Sequence, residues 1–291
     1  MSPDTLALNG KVAIITGSAK ENGIGAGIAS ALARNGASVV INYVSESSGP
    51  RAAEVAKKIE QAGGRAVVVR ADVSTPEGAK HLVETSLKAL QVDKVDILGM
   101  WHLKSELLPS FLPARIVGKL TWDQLCVIVN NAGGGPIVPV MQATKDDVEK
   151  TFAVNVFASL YMTQAVVSVM PRGGRIINIG SIASKMGMAP IPLYSASKAA
   201  MDTLSYAMAM ELGRGHGITI NTIAPGPVPT DGLPKGPVAD AVHNFLIPLT
   251  RAEERMGTVD DIADAVLLLA SEKSRWITGQ FISTSGGITG G

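Results

Sequence analysis

Only one cysteine, Cys126, occurs in the 291 residues, so no disulfide can close within the chain, and a reducing, cytoplasmic setting is expected. Charge of one sign is lacking as well. Lys and Arg number 26 against 25 Asp and Glu, a formal charge of +1. No basic stripe appears, so nucleic acid is not expected as a partner. No apolar stretch reaches the roughly 18 residues that suggest a membrane span. The first residues show no basic-then-apolar leader pattern, and the last ones no lipidation or retention motif, so no membrane partner is expected. The 31 glycines follow no period, which excludes collagen-like and low-complexity architectures. No metal site is expected.

What is present is apolar residue of modest size. Hydrophobic residues make up 46% and aromatics only 4%, a balance that suits a buried parallel sheet covered by helices. The order of elements agrees. Apolar runs at residues 11–16, 38–43, 65–71, 175–179, 218–223 and 280–283 read as strands. A further run starts at Val95-Asp-Ile-Leu98. Helical spacing over 25–35, 51–62, 76–90, 145–170, 194–212 and 258–269 separates them, the last opening on a capping-box pattern, Thr258-Val-Asp-Asp261. Alternating strand and helix with short connections predicts an α/β fold. It is a doubly wound, Rossmann-type parallel sheet of about seven strands with helices on both faces. Nothing marks a linker, so residues 1–291 are read as one dinucleotide-binding and catalytic domain.

Between the first strand and first helix lies Thr16-Gly-Ser-Ala-Lys-Glu-Asn-Gly-Ile-Gly25. Glycines there allow a tight turn that brings backbone N–H groups to a pyrophosphate at the positive end of the helix. Gly17, Ser18, Lys20, Gly23, Ile24 and Gly25 are therefore candidate cofactor contacts. An NAD-binding unit usually ends its second strand on an acid that accepts from the ribose 2′-OH. Here the strand ends Asn42-Tyr43, with no acid before Glu46. A neutral Asn42 spares a 2′-phosphate from repulsion and Lys20 is placed to pair with it, so NADP(H) is expected over NAD(H). A solvated Lys20 is the plainer alternative.

Tyr194-Ser-Ala-Ser-Lys198 puts a phenol and an ammonium four residues apart on one helix face. A phenol of ordinary pKa about 10 is a poor acid–base group near neutrality unless a cation lowers it. Ser181 follows a strand at the carboxyl edge of the sheet, where such folds bind ligands.

With these residues the chain resembles the short-chain dehydrogenase/reductase family, from about Gly10 onward. The resemblance rests on Gly23-Ile-Gly25, Asp72-Val73, Asn130-Asn-Ala-Gly133, Asn155, Ser181, the Tyr194/Lys198 pair and Pro225-Gly226. Within the family it is similar to fungal reductases of polyketide aromatic ketones and to 3-oxoacyl-carrier-protein reductases. The resemblance implies hydride transfer between nicotinamide and a ketone or secondary alcohol. Tyr194 would be the general acid, Lys198 would lower its pKa and bind the nicotinamide ribose, Ser181 would orient the carbonyl, and Asn155 would hold a water. It further implies that Asp72 and Val73 flank the adenine and that Asn131, Ala132 and Gly133 line the cofactor. Pro225, Gly226, Val228 and Thr230 would lie along it too. A lid at about residues 227–256, with Leu233, Val238, Val242, Phe245 and Leu246, would face residues 187–192 across a small-molecule substrate with apolar bulk. The family's dimer faces imply a homotetramer.

Two features depart from the family. The glycine turn has five residues rather than three between its first two glycines. Residues 99–128, which hold Trp101, Trp122 and Cys126, interrupt what would otherwise read Val-Asp-Ile-Leu-Val-Asn-Asn-Ala-Gly. Either the segment is a helical excursion, with Leu125-Cys-Val-Ile-Val129 rebuilding the strand, or it is a retained intron translated in frame. If real, it is expected to enter at the centre of the sheet beside the cofactor. An inactive splice product and a dinucleotide sensor without turnover are the rival functions. The intact Ser181, Tyr194 and Lys198 argue against the sensor.

Overall fold

The computed structural model describes residues 6–91, 127–231 and 236–290. Strands β1 (Val12–Ile15), β4 (Val127–Asn130) and β5 (Arg175–Ile179) are buried at every position. A strand with no exposed face belongs in the middle of a parallel sheet covered on both sides. With β2 (Ser38–Tyr43), β3 (Arg65–Arg70), β6 (Thr219–Pro225) and β7 (Phe281–Thr284) they form a seven-stranded sheet in the order β3-β2-β1-β4-β5-β6-β7. Every neighbouring pair runs parallel. The doubly wound sheet expected from the sequence is the one observed.

Side chains alternate across this sheet and feed two cores. Ala13, Ile15, Val39, Ile41, Val129 and Ile177 pack on one face with α1 (Ile24–Arg34), α2 (Gly49–Gln61) and α9 (Val259–Ala270). Val12, Ile14, Val40, Ile128, Ile176 and Ile220 pack on the other with α3 (Pro76–Ala89), α5 (Ala158–Val167) and α7 (Pro192–His216). The period-2 alternation of a strand is what lets one chain supply both layers. The remaining helices are α4 (Lys145–Phe152), α6 (Ala183–Met186) and α8 (Pro237–Leu246).

The helix expected over 145–170 is not uniform. A π turn, Ala153–Phe157, joins α4 to α5. One extra residue in a helical turn carries no compositional mark, so spacing alone does not reveal it.

The start of a strand at Val95–Leu98, and residues 99–126 of the suspected insertion, lie outside the described residues. Val127 and Ile128 belong to the sheet. They pair with Ala13 and Ile14 of β1 and with Arg175 and Ile176 of β5. Val127 opens β4 at its amino end, on the rim opposite Asn130 to Gly133, which lie at its carboxyl end. Where the suspected insertion enters falls outside the described residues.

Candidate active site

The turn between β1 and α1 is built by positive φ and by tethers. Gly17 has φ +61°, and a Cβ there would stand 2.9 Å from Ala132 Cα. No L side chain other than a strained one fits that place. The turn is then tied down by Asn42, whose Oδ1 accepts from the Gly17 N–H at 3.2 Å and whose Nδ2 donates to the Ala71 carbonyl at 3.0 Å. The Asn42 N–H donates to Ser18 Oγ, which donates to the Ile15 carbonyl. Asn42 and Ser18 are both fully buried. Asn42 thus acts on the turn from beneath it, and its side chain is committed to protein groups. Tyr43 is half-buried at the same strand end.

Helix α1 begins differently from its neighbours. Helix α3 is capped by Thr75, and α4 and α9 carry full capping boxes, Thr144 with Asp147 and Thr258 with Asp261. At α1 the N-cap is Gly23, no side chain caps the first turn, and no acid lies in it. Its free N–H groups and positive dipole end are therefore open to an anion. Lys20 is exposed beside this end. Arg51 is already paired with Glu21 at 2.6 Å and with Asp231. That pairing ties the turn to the chain after β6, reinforced by the Asp231 N–H donating to the Asn22 carbonyl.

The strand ends supply the rest. After β4, the Asn131 side chain donates to the Thr16 and Gly17 carbonyls at 3.0 Å each. The Asn131 and Ala132 N–H groups both donate to Thr16 Oγ1. At Gly133 a Cβ would meet Asn155 Oδ1 at 2.7 Å and Lys198 Nζ at 3.1 Å. This glycine keeps the space in front of the lysine clear. A pyrophosphate-bearing dinucleotide, with its anion at α1 and its far end at Gly133, fits these donors and this clearance.

Lys198 and Tyr194 project from α7 toward the end of β5. Lys198 is 4% exposed, and its Nζ donates to the Ile179 carbonyl at 2.7 Å. Burial pushes its pKa down to about 8, against a smaller upward pull from Asp202. The Nζ lies 5.7 Å from the Tyr194 ring centre. Burial pushes the Tyr194 phenol up, a hydrogen bond with Ser181 opposes this, and Asp202 adds to the rise. Ser181 Oγ accepts from the Ala183 N–H at 3.1 Å, which leaves its own O–H free to donate. Ser181, Tyr194 and Lys198 are brought together at the carboxyl edge of the sheet.

Asn155 sits on the π turn, 3% exposed. Its Oδ1 accepts from the Gly134 N–H at 3.0 Å, and its Nδ2 donates to the Gly134 carbonyl at 2.6 Å and to Ser197 Oγ at 3.0 Å. The side chain clamps the strand-end loop to α7. Asp72, exposed, accepts from the Ser74 N–H and hydroxyl and so caps the approach to α3, while Val73 is buried. Pro225 ends β6, Gly226 follows it, Val228 is buried, and Thr230 is half-buried beside Asp231. Sequence reading missed Thr16, the buried Asn130–Asn178–Ser205 chain of hydrogen bonds and Asp202. A polar residue inside an apolar strand, Asn178 in Ile-Ile-Asn-Ile, was the available signal.

A cavity of about 610 Å³ opens between α8 and the chain joining Ser181 to Tyr194. Met186, Met188, Pro190, Ala241, Val242 and Phe245 line it, all without charge. Of the expected lid residues, Val242 and Phe245 face the cavity and Leu246 is buried. Leu233 and the Val238 side chain lie outside what the structure describes. Among the described residues there is no cluster of metal-ligating side chains, and no helix is long and apolar enough to cross a membrane.

Fold and site together define an α/β oxidoreductase of the dinucleotide-binding type. The family model described as enoyl-(acyl carrier protein) reductase matches residues 17–100 and 116–289. An uncharacterized oxidoreductase of Methylorubrum extorquens is 35% identical over 97% of this chain and 98% of its own. A hydroxynaphthalene reductase of Aspergillus fumigatus is 31% identical over 96% of this chain and 92% of its own. The crystal structure of an angucycline C-6 ketoreductase with bound NADP superposes with a TM-score of 0.78 at 32% identity, over 97% of this chain and 96% of that one. The chain belongs to the short-chain dehydrogenase/reductase family.

Proposed function

We propose that this protein is an NADP(H)-dependent reductase of an apolar ketone, of the aromatic polyketide or 3-oxoacyl kind. The observation that carries the reading is the convergence of Ser181, Tyr194 and buried Lys198 at the carboxyl edge of the sheet. When bound, the cofactor supplies the hydride. Ser181 and Tyr194 donate hydrogen bonds to the substrate oxygen, and Tyr194 transfers its proton there as negative charge develops. Lys198, as an ammonium, favours the phenolate left behind and has donors to spare for ribose hydroxyls.

Preference for NADP(H) is supported by Lys20, exposed at the α1 end, and by the absence of an acid where β2 stops. The apolar cavity beneath α8 supports a substrate with apolar bulk, with residues 227–256 acting as its lid. The hydroxynaphthalene and angucycline reductases among its relatives support a ketone on a fused-ring skeleton. Exposed Phe157, Tyr206 and Met210 support assembly into a homotetramer, tested by sedimentation. The deciding experiment measures NADPH and NADH binding by fluorescence and then turnover of a ketone panel, with Tyr194→Phe as control. NADPH binding, ketone turnover and loss of turnover by at least a hundredfold in Tyr194→Phe are expected. Retained turnover in that variant overturns the mechanism, and binding without turnover of any ketone favours a sensor.

A further inference from the structure

One buried charge near the site has no task in the mechanism above. Asp202 lies on α7 one turn beyond Lys198 and two beyond Tyr194, so the three form a row at four-residue spacing along one face. Both carboxylate oxygens of Asp202 are buried and accept no hydrogen bond. The adjacent Ser184 hydroxyl points past it to the Ser181 carbonyl at 2.9 Å. Ile179, the last residue of β5, and Gly180 just after it bring the charges close. The Ile179 carbonyl holds Lys198 Nζ, and at Gly180 a Cβ would stand 3.2 Å from Asp202 Oδ1. A carboxylate in such a place, neither solvated nor paired in contact, exerts its field through a medium that screens it poorly.

We propose that Asp202 is a positioning residue for the reaction, a buried counter-charge that keeps Lys198 an ammonium. The inference rests on the reading of Tyr194 as the acid. A negative charge raises the proton affinity of every neighbouring group. It opposes what burial does to Lys198, keeping charged the ammonium that favours the phenolate. On Tyr194 the same field acts in the direction of burial, so the phenol reports it. The ammonium is the form of Lys198 a carbonyl reductase uses.

The groups that face Asp202 are few. Lys185 approaches from α6, with its Nζ 4.7 Å from the Phe281 ring centre, and Lys198 and Tyr206 come from α7. Strands β6 and β7 present neutral Thr222, Gln280 and Phe281. All of these except Lys198 line a pocket of about 220 Å³, in which the buried Thr222 Oγ1 also has no partner. Burial holds the Asp202 carboxyl up at about 6, with the charges of Lys185 and Lys198 among the opposing pulls. It is therefore ionised at neutral pH.

The test reads the Tyr194 phenol directly, by ultraviolet titration of the protein against the Tyr194→Phe form of each variant. The pH dependence of kcat/KM for ketone reduction is the second readout. Asp202→Asn and Asp202→Ser each remove the charge, so one folded variant, checked by thermal melting, is sufficient. In either, the phenol titration and the alkaline limb of kcat/KM are expected to move to lower pH by about 0.5–1 unit. Asp202→Glu is expected to leave both near their original positions. A folded charge-removing variant with an unshifted phenol titration overturns the proposal, whatever its rate. A protein that reduces no ketone but shows the shifted titration upholds the counter-charge and overturns the reductase reading instead.

Discussion

Lys198 holds its ammonium almost wholly out of water, with one carbonyl, that of Ile179, as its protein hydrogen-bond partner. Its pKa of about 8 against an ordinary 10.5 means that folding disfavours the charged form. Below pH 8 both folded and unfolded chains carry the proton, and the penalty, roughly 3 kcal/mol, is present in full. Between pH 8 and 10.5 the unfolded chain binds more protons than the folded one, so this residue's contribution to stability rises with pH. Lys198→Met is therefore expected to abolish turnover and yet melt at or above the wild type at pH 7. The lost bond to Ile179 offsets only about 1–2 kcal/mol of the gain. Its advantage should shrink by pH 10, and scanning calorimetry at the two pH values checks both signs. At Asn42 the opposite kind of packing gives the opposite forecast. Asn42→Asp turns a donor that faces the Ala71 and Val69 carbonyls into an acceptor. A loss on the order of 3 kcal/mol is expected, read from denaturant unfolding. For Lys20, exposed at the turn, Lys20→Ala should raise KM for NADPH about tenfold and leave KM for NADH unchanged, read in steady-state kinetics.

At the scale of elements, the contrast among helix starts divides structure from function. Helix α9 is held by Thr258 and Asp261, and Arg255 with the Thr258 N–H and hydroxyl keeps the Asp261 carboxyl well below the usual range. Thr258→Ala is expected to cost about 1 kcal/mol, measured by thermal unfolding. The contribution of Asp261 is complete above the ordinary carboxylate pKa and is lost as pH falls through its depressed folded value. Asp261→Asn should thus flatten the acid side of the stability curve below pH 4. The capping box at Thr258 was legible in sequence because it spans four residues. The glycine turn and the Tyr194/Lys198 pair were legible for the same reason: their spacing is local. The π turn under Asn155 was not, since any residue can occupy it. The Asn155 clamp on Gly134 and Ser197 joins residues 21 and 42 positions apart and leaves no periodic trace. Arg51 is more remote still, pairing with Asp231 across 180 positions.

Across the whole molecule, the parallel sheet sorts the strand termini into two rims. Thr16, Asn130 to Gly133, Ser181 and Pro225 all lie at or just past the carboxyl ends of strands, and the helix that bears Tyr194 and Lys198 leans on the same rim. The doubly wound order was readable from the alternation of elements, because each apolar run is long enough to be a strand and too short to be a buried helix. Which residue opens β4 was not readable, since residues 95–98 and 125–129 both read as a strand. Strand β4 starts at Val127, with its amino end between the starts of β1 and β5. The two rims therefore answer to different constraints. At the reactive rim, a single added methyl group at Gly133 collides with Asn155 Oδ1 and crowds Lys198 Nζ. The other rim can serve as a mounting point. A reporter or affinity module spliced into the connection ahead of Val127 would ride on the enzyme a strand's length from its chemistry, about 13 Å away.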